Sequence, residues 1–350
     1  MIKFYLIRCC FMFRLRLLII LILTASFCFS QQAFTSYSIL NNNCTSRNSS
    51  LGGYPIGVFD SKDASTAIFL PSNLLASHDK QLVINYNNHF ADSDFGMVNY
   101  NFKLKEKGIF SVSLFYNNYG DFEYYTPSGN SLGNSFTASD WIFQLGHSKK
   151  LNDKIQIGFN LKFLGSVFEQ YKSFAIGSDV SLTYFDEQKQ LGGYLLFSNI
   201  GTSIKSYQES NTKNKLPFNS VLGINTKLKH APIRFHLSYH HLNRWSISSN
   251  SQTNIQSTVQ INQLFSNFFN HIVIGTEFLF TKNFNVRFGY DFLSRNILQP
   301  ESRPGTTGIS WGVGFKVKNL MINYSNSKYH FAGTSNNITI IKQLKSFSNK

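Results

Sequence analysis

The sequence predicts an all-β chain: a transmembrane antiparallel β-barrel of about fourteen strands, preceded by a plug or periplasmic segment. Three observations predict it. First, Ile155, Ile157, Phe159, Leu161 and Phe163 alternate with Gln156, Gly158, Asn160 and Lys162. Successive side chains of a strand point to opposite faces, so this stretch has one apolar and one polar face, a sorting that no helix achieves. The same alternation returns in Phe284, Val286, Phe288, Tyr290 and Phe292, and in Ile309, Trp311, Val313, Phe315 and Val317. Second, the connections between such stretches alternate between short and long. Third, 35 Phe and 17 Tyr suit a lipid-facing wall with aromatic girdles better than a compact soluble core.

Residues 1–30 read as an export leader. Lys3, Arg8, Arg14 and Arg16 precede an apolar run from Leu17 to Leu23, and small residues end at Ser30. That run is shorter than the roughly 20 residues a spanning helix requires. Cys9, Cys10 and Cys28 fall in the leader, which leaves Cys44 alone and excludes an internal disulfide. The formal net charge is +15, of which the leader holds four basic residues; the +11 remaining is spread without run or stripe. A basic balance of that kind fits solvated faces and acidic headgroups better than nucleic acid.

Over 31–81 the alternation is absent. The segment runs from the polar tract Asn41 to Ser50 through Leu51-Gly52-Gly53 to Asp63-Ala64-Ser65-Thr66-Ala67, where a capped helical turn is expected, and on to the turn at Pro71. The barrel is expected over 82–345, with a tail at 346–350. Strands are placed at 82–89, 95–104, 109–118, 138–150, 155–165, 175–185, 191–199, 218–228, 232–242, 271–281, 284–293, 307–317, 320–328 and 337–345. Tight polar turns follow at 105–108, 152–153, 186–190, 229–231, 282–283 and 318–319. Longer connections occupy 119–137, 166–174, 201–217, 243–270 and 294–306, with shorter tips at 90–94 and 329–336. An even strand count with short turns on one rim and long loops on the other is the layout of an outer-membrane barrel. A soluble sandwich also alternates, but its large aromatic residues would face outward on one sheet only.

The polar face carries Lys103, Asn160, Lys162, Asp179, Asn225, Lys227, Arg234, His236, His240, Glu277, Arg287, Asp291 and Lys316. These read as a hydrated, partly ion-paired interior. Glu277 and Arg287 flank a tight turn and are expected to pair across it. His236 and His240 share a face but lie about 13 Å apart at roughly 3.3 Å per residue, too far to ligate one metal ion. No carboxylate pair, G-x-S-x-G elbow or phosphate loop occurs. Gly192-Gly193 and Gly312-Val313-Gly314 read as strand glycines where the wall bends or the plug comes close. No catalytic residue, cofactor or metal is expected, and binding or assembly is the working class.

Several motifs together carry a family resemblance. Leu51-Gly52-Gly53, Asp63, Ser65, Ala67 and the Phe69 to Leu75 stretch resemble the segment preceding the barrel in the PorV and PorQ group of FadL-like outer-membrane proteins. His230-Ala231-Pro232-Ile233-Arg234-Phe235, Leu242-Asn243-Arg244-Trp245, Ser302-Arg303-Pro304-Gly305 and Tyr329-His330-Phe331-Ala332-Gly333 follow in the order of that group. The resemblance implies a non-enzymatic scaffold in the type IX secretion attachment complex of Bacteroidetes, in the cell outer membrane, with outer-membrane lipid and PorZ-, PorU- and PorV-like subunits as partners. The alternative it implies is a FadL-like transporter of small hydrophobic molecules, for which an apolar lumen pocket would be the discriminating feature. Phe115, Val273 and Leu279 point to such a pocket.

Overall fold

The computed structural model describes residues 37–42, 45–58, 63–89, 93–105, 107–207, 215–247, 258–298, 305–330 and 333–344. The expected leader, Cys44, Ser302-Arg303-Pro304, Phe331-Ala332 and the tail at 346–350 lie outside them. Fourteen strands form one closed antiparallel barrel: β1 Gln81–Asn88, β2 Asp94–Leu104, β3 Gly108–Tyr125, β4 Ser131–Lys150, β5 Ile155–Phe168, β6 Tyr171–Asp186, β7 Leu191–Lys205, β8 Asn219–Lys227, β9 Ile233–His240, β10 Ile272–Phe278, β11 Phe284–Asp291, β12 Ile309–Val317, β13 Leu320–His330 and β14 Gly333–Gln343. Each strand pairs with its sequence neighbours, and β1 closes the ring on β14 from Gln81↔Gln343 to Asn88↔Asn336. Closure leaves no unpaired sheet edge, the condition that a β-structure must meet in lipid. No helix among the described residues is long and apolar enough to span a membrane.

The outer face is apolar over a band ringed by aromatic residues. One row of paired residues runs Tyr324, Ile338, Tyr86, Gly96, Tyr116, Trp141, Gly165, Phe174 across seven strand pairs. Such girdles sit where hydrocarbon meets headgroups. Gly165 is needed there: a Cβ on it would lie 2.3 Å from the ring of Trp141, which folds over it.

Several expected connections are partly strand instead: β7 runs to Lys205, β13 to His330 and β14 starts at Gly333, and two longer connections change most. The stretch at 119–137 continues β3 and β4 as a hairpin, with Phe122 opposite Phe136. Its alternation is broken by the irregularity between Asn118 and Asp121 and by Gly120 and Gly133 at positive φ, so the sequence period fails where the pairing persists. Likewise β5 and β6 run on until Phe168 meets Tyr171, with Glu169 at φ 57°. The strands β3 to β7 are thus 14 to 20 residues long. About ten residues suffice to cross a bilayer at the usual tilt. On that side the strands therefore run several residues past the length a bilayer crossing needs, toward the long-loop rim. Three helices were not expected as such: α1 Ser46–Ser50 in the N-terminal segment, α2 Thr258–Asn270 between β9 and β10, and α3 Phe292–Leu298 after β11.

The described residues of 37–74 lie largely inside the cylinder. The backbone N–H of Ser46 donates to Thr339 on β14, and that of Ser72 to Ser181 on β6, each at 2.8 Å. Gln144 on β4 donates to the carbonyl of Ile68 at 2.9 Å. Contacts with opposite walls place the chain across the lumen, so the polar faces of the strands are spent on it.

Candidate functional site

Ten of the expected polar-face residues, Asn160, Lys162, Asp179, Asn225, Arg234, His236, His240, Glu277, Arg287 and Asp291, are buried in the lumen. Lys103 is exposed, and Lys227 and Lys316 are half-buried, because each sits at the open short-turn rim.

The charged residues gather on the β9 to β11 side. Glu277 stands opposite Arg234 on one neighbour and Arg287 on the other. Its Oε2 accepts from Arg234 Nη1 at 2.6 Å and its Oε1 from Arg287 Nε at 3.1 Å, which meets the expected cross-turn pair. Arg47 of α1 completes the cluster: Nε and Nη2 donate to the two Glu277 oxygens at 2.9 and 2.8 Å, and Nη1 reaches Asp63 at 3.2 Å. Pairing of this kind is what makes a buried carboxylate tolerable. Across the lumen, Lys162 pairs with Asp179 at 2.8 Å, where Asn199 at φ 60° interrupts the β6–β7 register.

The opposite side of the lumen is apolar. Val83, Phe95, Met97, Phe115, Ile142, Leu164, Ala175 and Ile341 contribute from β1 to β6 and β14, and all are buried. Tyr37, Ile39, Leu40, Ala64 and Ile68 of the N-terminal segment fill this band, and Leu216 after β7 joins them. Phe115 has its ring 5.9 Å from Phe69 and 6.2 Å from Phe95. Of the three residues the sequence named for an apolar pocket, Phe115 belongs to it. Val273 is buried elsewhere, against Gly52, and Leu279 is corrected: it lies beyond β10 in the rim turn, where strand alternation no longer fixes its facing. The band's other members were missed because they share inward positions with polar residues, Ile142 with Gln144 and Leu164 with Lys162. The available signal was local: Trp141-Ile142-Phe143 and Phe163-Leu164 are runs apolar on both faces of their strands.

Above the band lies a belt of hydroxyls around Asp140. Its carboxylate accepts from Tyr119 Oη at 2.6 Å, from Ser166 Oγ and from the backbone N–H of Ile39. Tyr37 bonds Ser173, and Tyr207 bonds Ser166. This belt holds the upper end of the N-terminal segment against β3 to β6.

Three histidines meet at the long-loop rim. Tyr54 stacks on His240 with ring centroids 4.0 Å apart, and His240 Nδ1 faces His241 Nδ1 at 2.6 Å, so one donates and the other accepts. His271 reaches the carbonyls of His240 and Trp245 at 2.7 and 3.1 Å. His236 lies apart from them, beside Glu277 at 3.6 Å. No group of three His, Cys, Asp or Glu among the described residues is arranged to hold a metal ion.

No protein family matches the sequence, and no curated protein does. Solved structures match the fold. The Ralstonia pickettii toluene transporter TbuX superposes with a TM-score of 0.53 at 10% identity, over 88% of this chain and 100% of that one. The Pseudomonas putida toluene transporter TodX gives 0.50 at 12%, over 89% and 98%. A Pseudomonas aeruginosa FadL homologue gives 0.50 at 10%, over 90% and 100%. The chain thus has the closed fourteen-stranded architecture of FadL-like barrels, an architecture of outer-membrane proteins.

Proposed function

We propose that this barrel is a non-enzymatic outer-membrane channel that takes small hydrophobic molecules across its wall or lumen when the plug yields. The carrying observation is the apolar band around Phe95, Phe115, Ile142 and Leu164, which the N-terminal segment fills with Ile39, Leu40 and Ile68. An aqueous diffusion pore has no use for such a band, since water-filled lumens are lined by polar groups. The band has the chemistry a small apolar solute would share with those plug residues. Two of the solved structures of this fold are toluene transporters by name, which agrees with the reading at the level of fold.

The test is uptake of labelled toluene into cells expressing the wild type, F115D or L164D. Uptake above that of cells lacking the protein, and its loss in both variants, supports the channel. Equal uptake with and without the protein refutes it.

A second reading is favoured by the hairpin of β3 and β4, whose strands of 18 and 20 residues are longer than a channel wall requires. We propose that it offers a surface to other outer-membrane subunits, of the PorZ, PorU and PorV kind that the sequence resemblance implies. Purification of tagged protein with and without residues 121–137 tests this. A partner recovered with the full chain and lost from the shortened one supports the scaffold role. No partner recovered with either chain counts against it.

A further inference from the structure

We propose that α2 is an interfacial anchor, lying along the outer rim with Leu264, Phe265, Phe268 and Phe269 in the acyl-chain boundary of the surrounding lipid leaflet. The inference is independent of what the lumen carries.

The helix sorts its residues by side. At 100° per residue, Leu264, Phe268, Phe265 and Phe269 span roughly 140° of its circumference, and Ser266, Asn267 and Asn270 fill the opposite arc. The structure turns the two arcs toward different surroundings. The polar arc is tied to the protein: Asn296 of α3 donates through Nδ2 to Ser266 Oγ at 3.2 Å and to Asn270 Oδ1 at 3.1 Å. The apolar arc is largely uncovered, with Phe265 61%, Leu264 54%, and Phe268 and Phe269 each 44% exposed. A helix resting on a soluble surface would have the reverse arrangement.

Lipid is the occupant because this face continues the barrel's own lipid-facing surface. The Phe268 ring lies 5.9 Å from Tyr239, an outward residue at the upper end of β9. The Phe269 ring lies 5.4 Å from Phe292, which packs at 4.7 Å against Tyr290, an outward residue at the upper end of β11. Ile274 and Ile309, also outward and exposed, lie on the adjoining wall. The four apolar side chains therefore extend the aromatic girdle outward instead of standing apart from it. An amphipathic helix with Phe and Leu on one side and amides on the other is suited to that depth. The anchor would fix the β9–β10 connection, and with it His271, whose ring holds the carbonyl of Trp245 across the rim.

The test places an environment-sensitive fluorophore on single cysteines, L264C, F265C and N267C, in the full chain with Cys9, Cys10, Cys28 and Cys44 changed to serine. The protein is reconstituted in phosphatidylcholine vesicles with nitroxide lipids labelled at a shallow or a deep acyl position. The expected result is blue-shifted emission at 264 and 265, quenched by the shallow nitroxide at least about twofold more than at 267. Equal, weak quenching at all three sites with water-like emission would overturn the proposal. Blue-shifted emission that no nitroxide quenches would overturn it too, by showing the face covered by a second copy. All the labelled sites are exposed or partly exposed, and heat-modifiable gel mobility confirms folding of each; either L264C or F265C alone gives the contrast with N267C.

Discussion

Arg47 of the N-terminal segment and Glu277 of the wall form a two-pronged ion pair, 2.9 and 2.8 Å across, between residues 230 apart in sequence. Both side chains are almost wholly removed from solvent. Arg234 and Arg287 hold the same carboxylate from either side, so the pair ties the plug to a row of charges spanning three strands. Such a joint is specific but weak in net energy until one partner is lost, when the other is stranded in a poorly polarisable interior.

Loss of Arg47 is therefore expected to loosen the plug and spare the barrel. R47L takes the guanidinium from Asp63 as well as from Glu277 and should weaken plug docking by roughly 3–5 kcal/mol, while E277A, which removes the carboxylate that Arg47, Arg234 and Arg287 share, should cost at least as much. Single-channel recording in planar bilayers checks this. R47L is expected to show frequent openings where the wild type is closed, with the heat-modifiable gel shift of a folded barrel retained. A closed R47L channel would remove Arg47 from any role in holding the plug.

Gly158 makes a second joint testable. A Cβ there would lie 2.1 Å from the backbone N of Ser72, so only glycine lets the turn at Pro71–Asn73 touch the wall. G158L is expected to push that turn away and expose the lower plug to added protease, whereas the same change at Gly193, whose nearest neighbour is 3.7 Å off, leaves it protected. Limited proteolysis of reconstituted protein separates the two. Equal protection in G158L would show that the plug does not depend on this contact.

Much of this wall was legible in the sequence, and much of the plug was not, for one physical reason. Lipid imposes a single demand on every strand, an apolar side chain at each second position, and that demand writes a period into residues such as Ile155 to Phe163. The lumen imposes no common demand. Each inward residue answers the plug group that meets it, so Leu164 is apolar against Ile68's cluster while Lys162 beside it serves Asp179. The Glu277–Arg287 pair could be read because a tight turn sets its register. Arg47 could not, because nothing local connects it to either. The β3–β4 hairpin reads as loop because both of its faces are largely exposed to solvent, which relaxes the alternation although the pairing persists.

The girdle supplies a prediction at Gly165. Filling the space beneath the Trp141 ring with a methyl group forces the indole outward, and overpacking of this kind costs about 1–3 kcal/mol. G165A is expected to lower the guanidinium midpoint of the folded barrel accordingly, and G165A/W141A to recover most of the loss, as coupled neighbours do. Additive losses in the double variant would mean that the two residues act independently.

The histidine rim predicts a pH response with a fixed sign. Burial first, then Arg244 and His271, pushes the His241 imidazole down to about 3 from its ordinary 6.5. Tyr54 and His240 also pack on it, and its backbone N–H donates to Asn219 Oδ1 at 2.9 Å. Because the folded value lies below the unfolded one, an opened rim binds a proton that the packed rim refuses. The packing is at full strength above pH 6.5, weakens as the pH falls, and loses this contribution entirely below about 3. The opening equilibrium should therefore rise by up to about tenfold per pH unit inside that window. Trp245, joined to His271 through its carbonyl, reports the change as fluorescence measured from about pH 7 to about pH 4, across the lower half of the ordinary histidine titration. In H241F the slope should decrease but not vanish, because the buried His240 beside it remains. An undiminished slope in that variant would assign the response to another group.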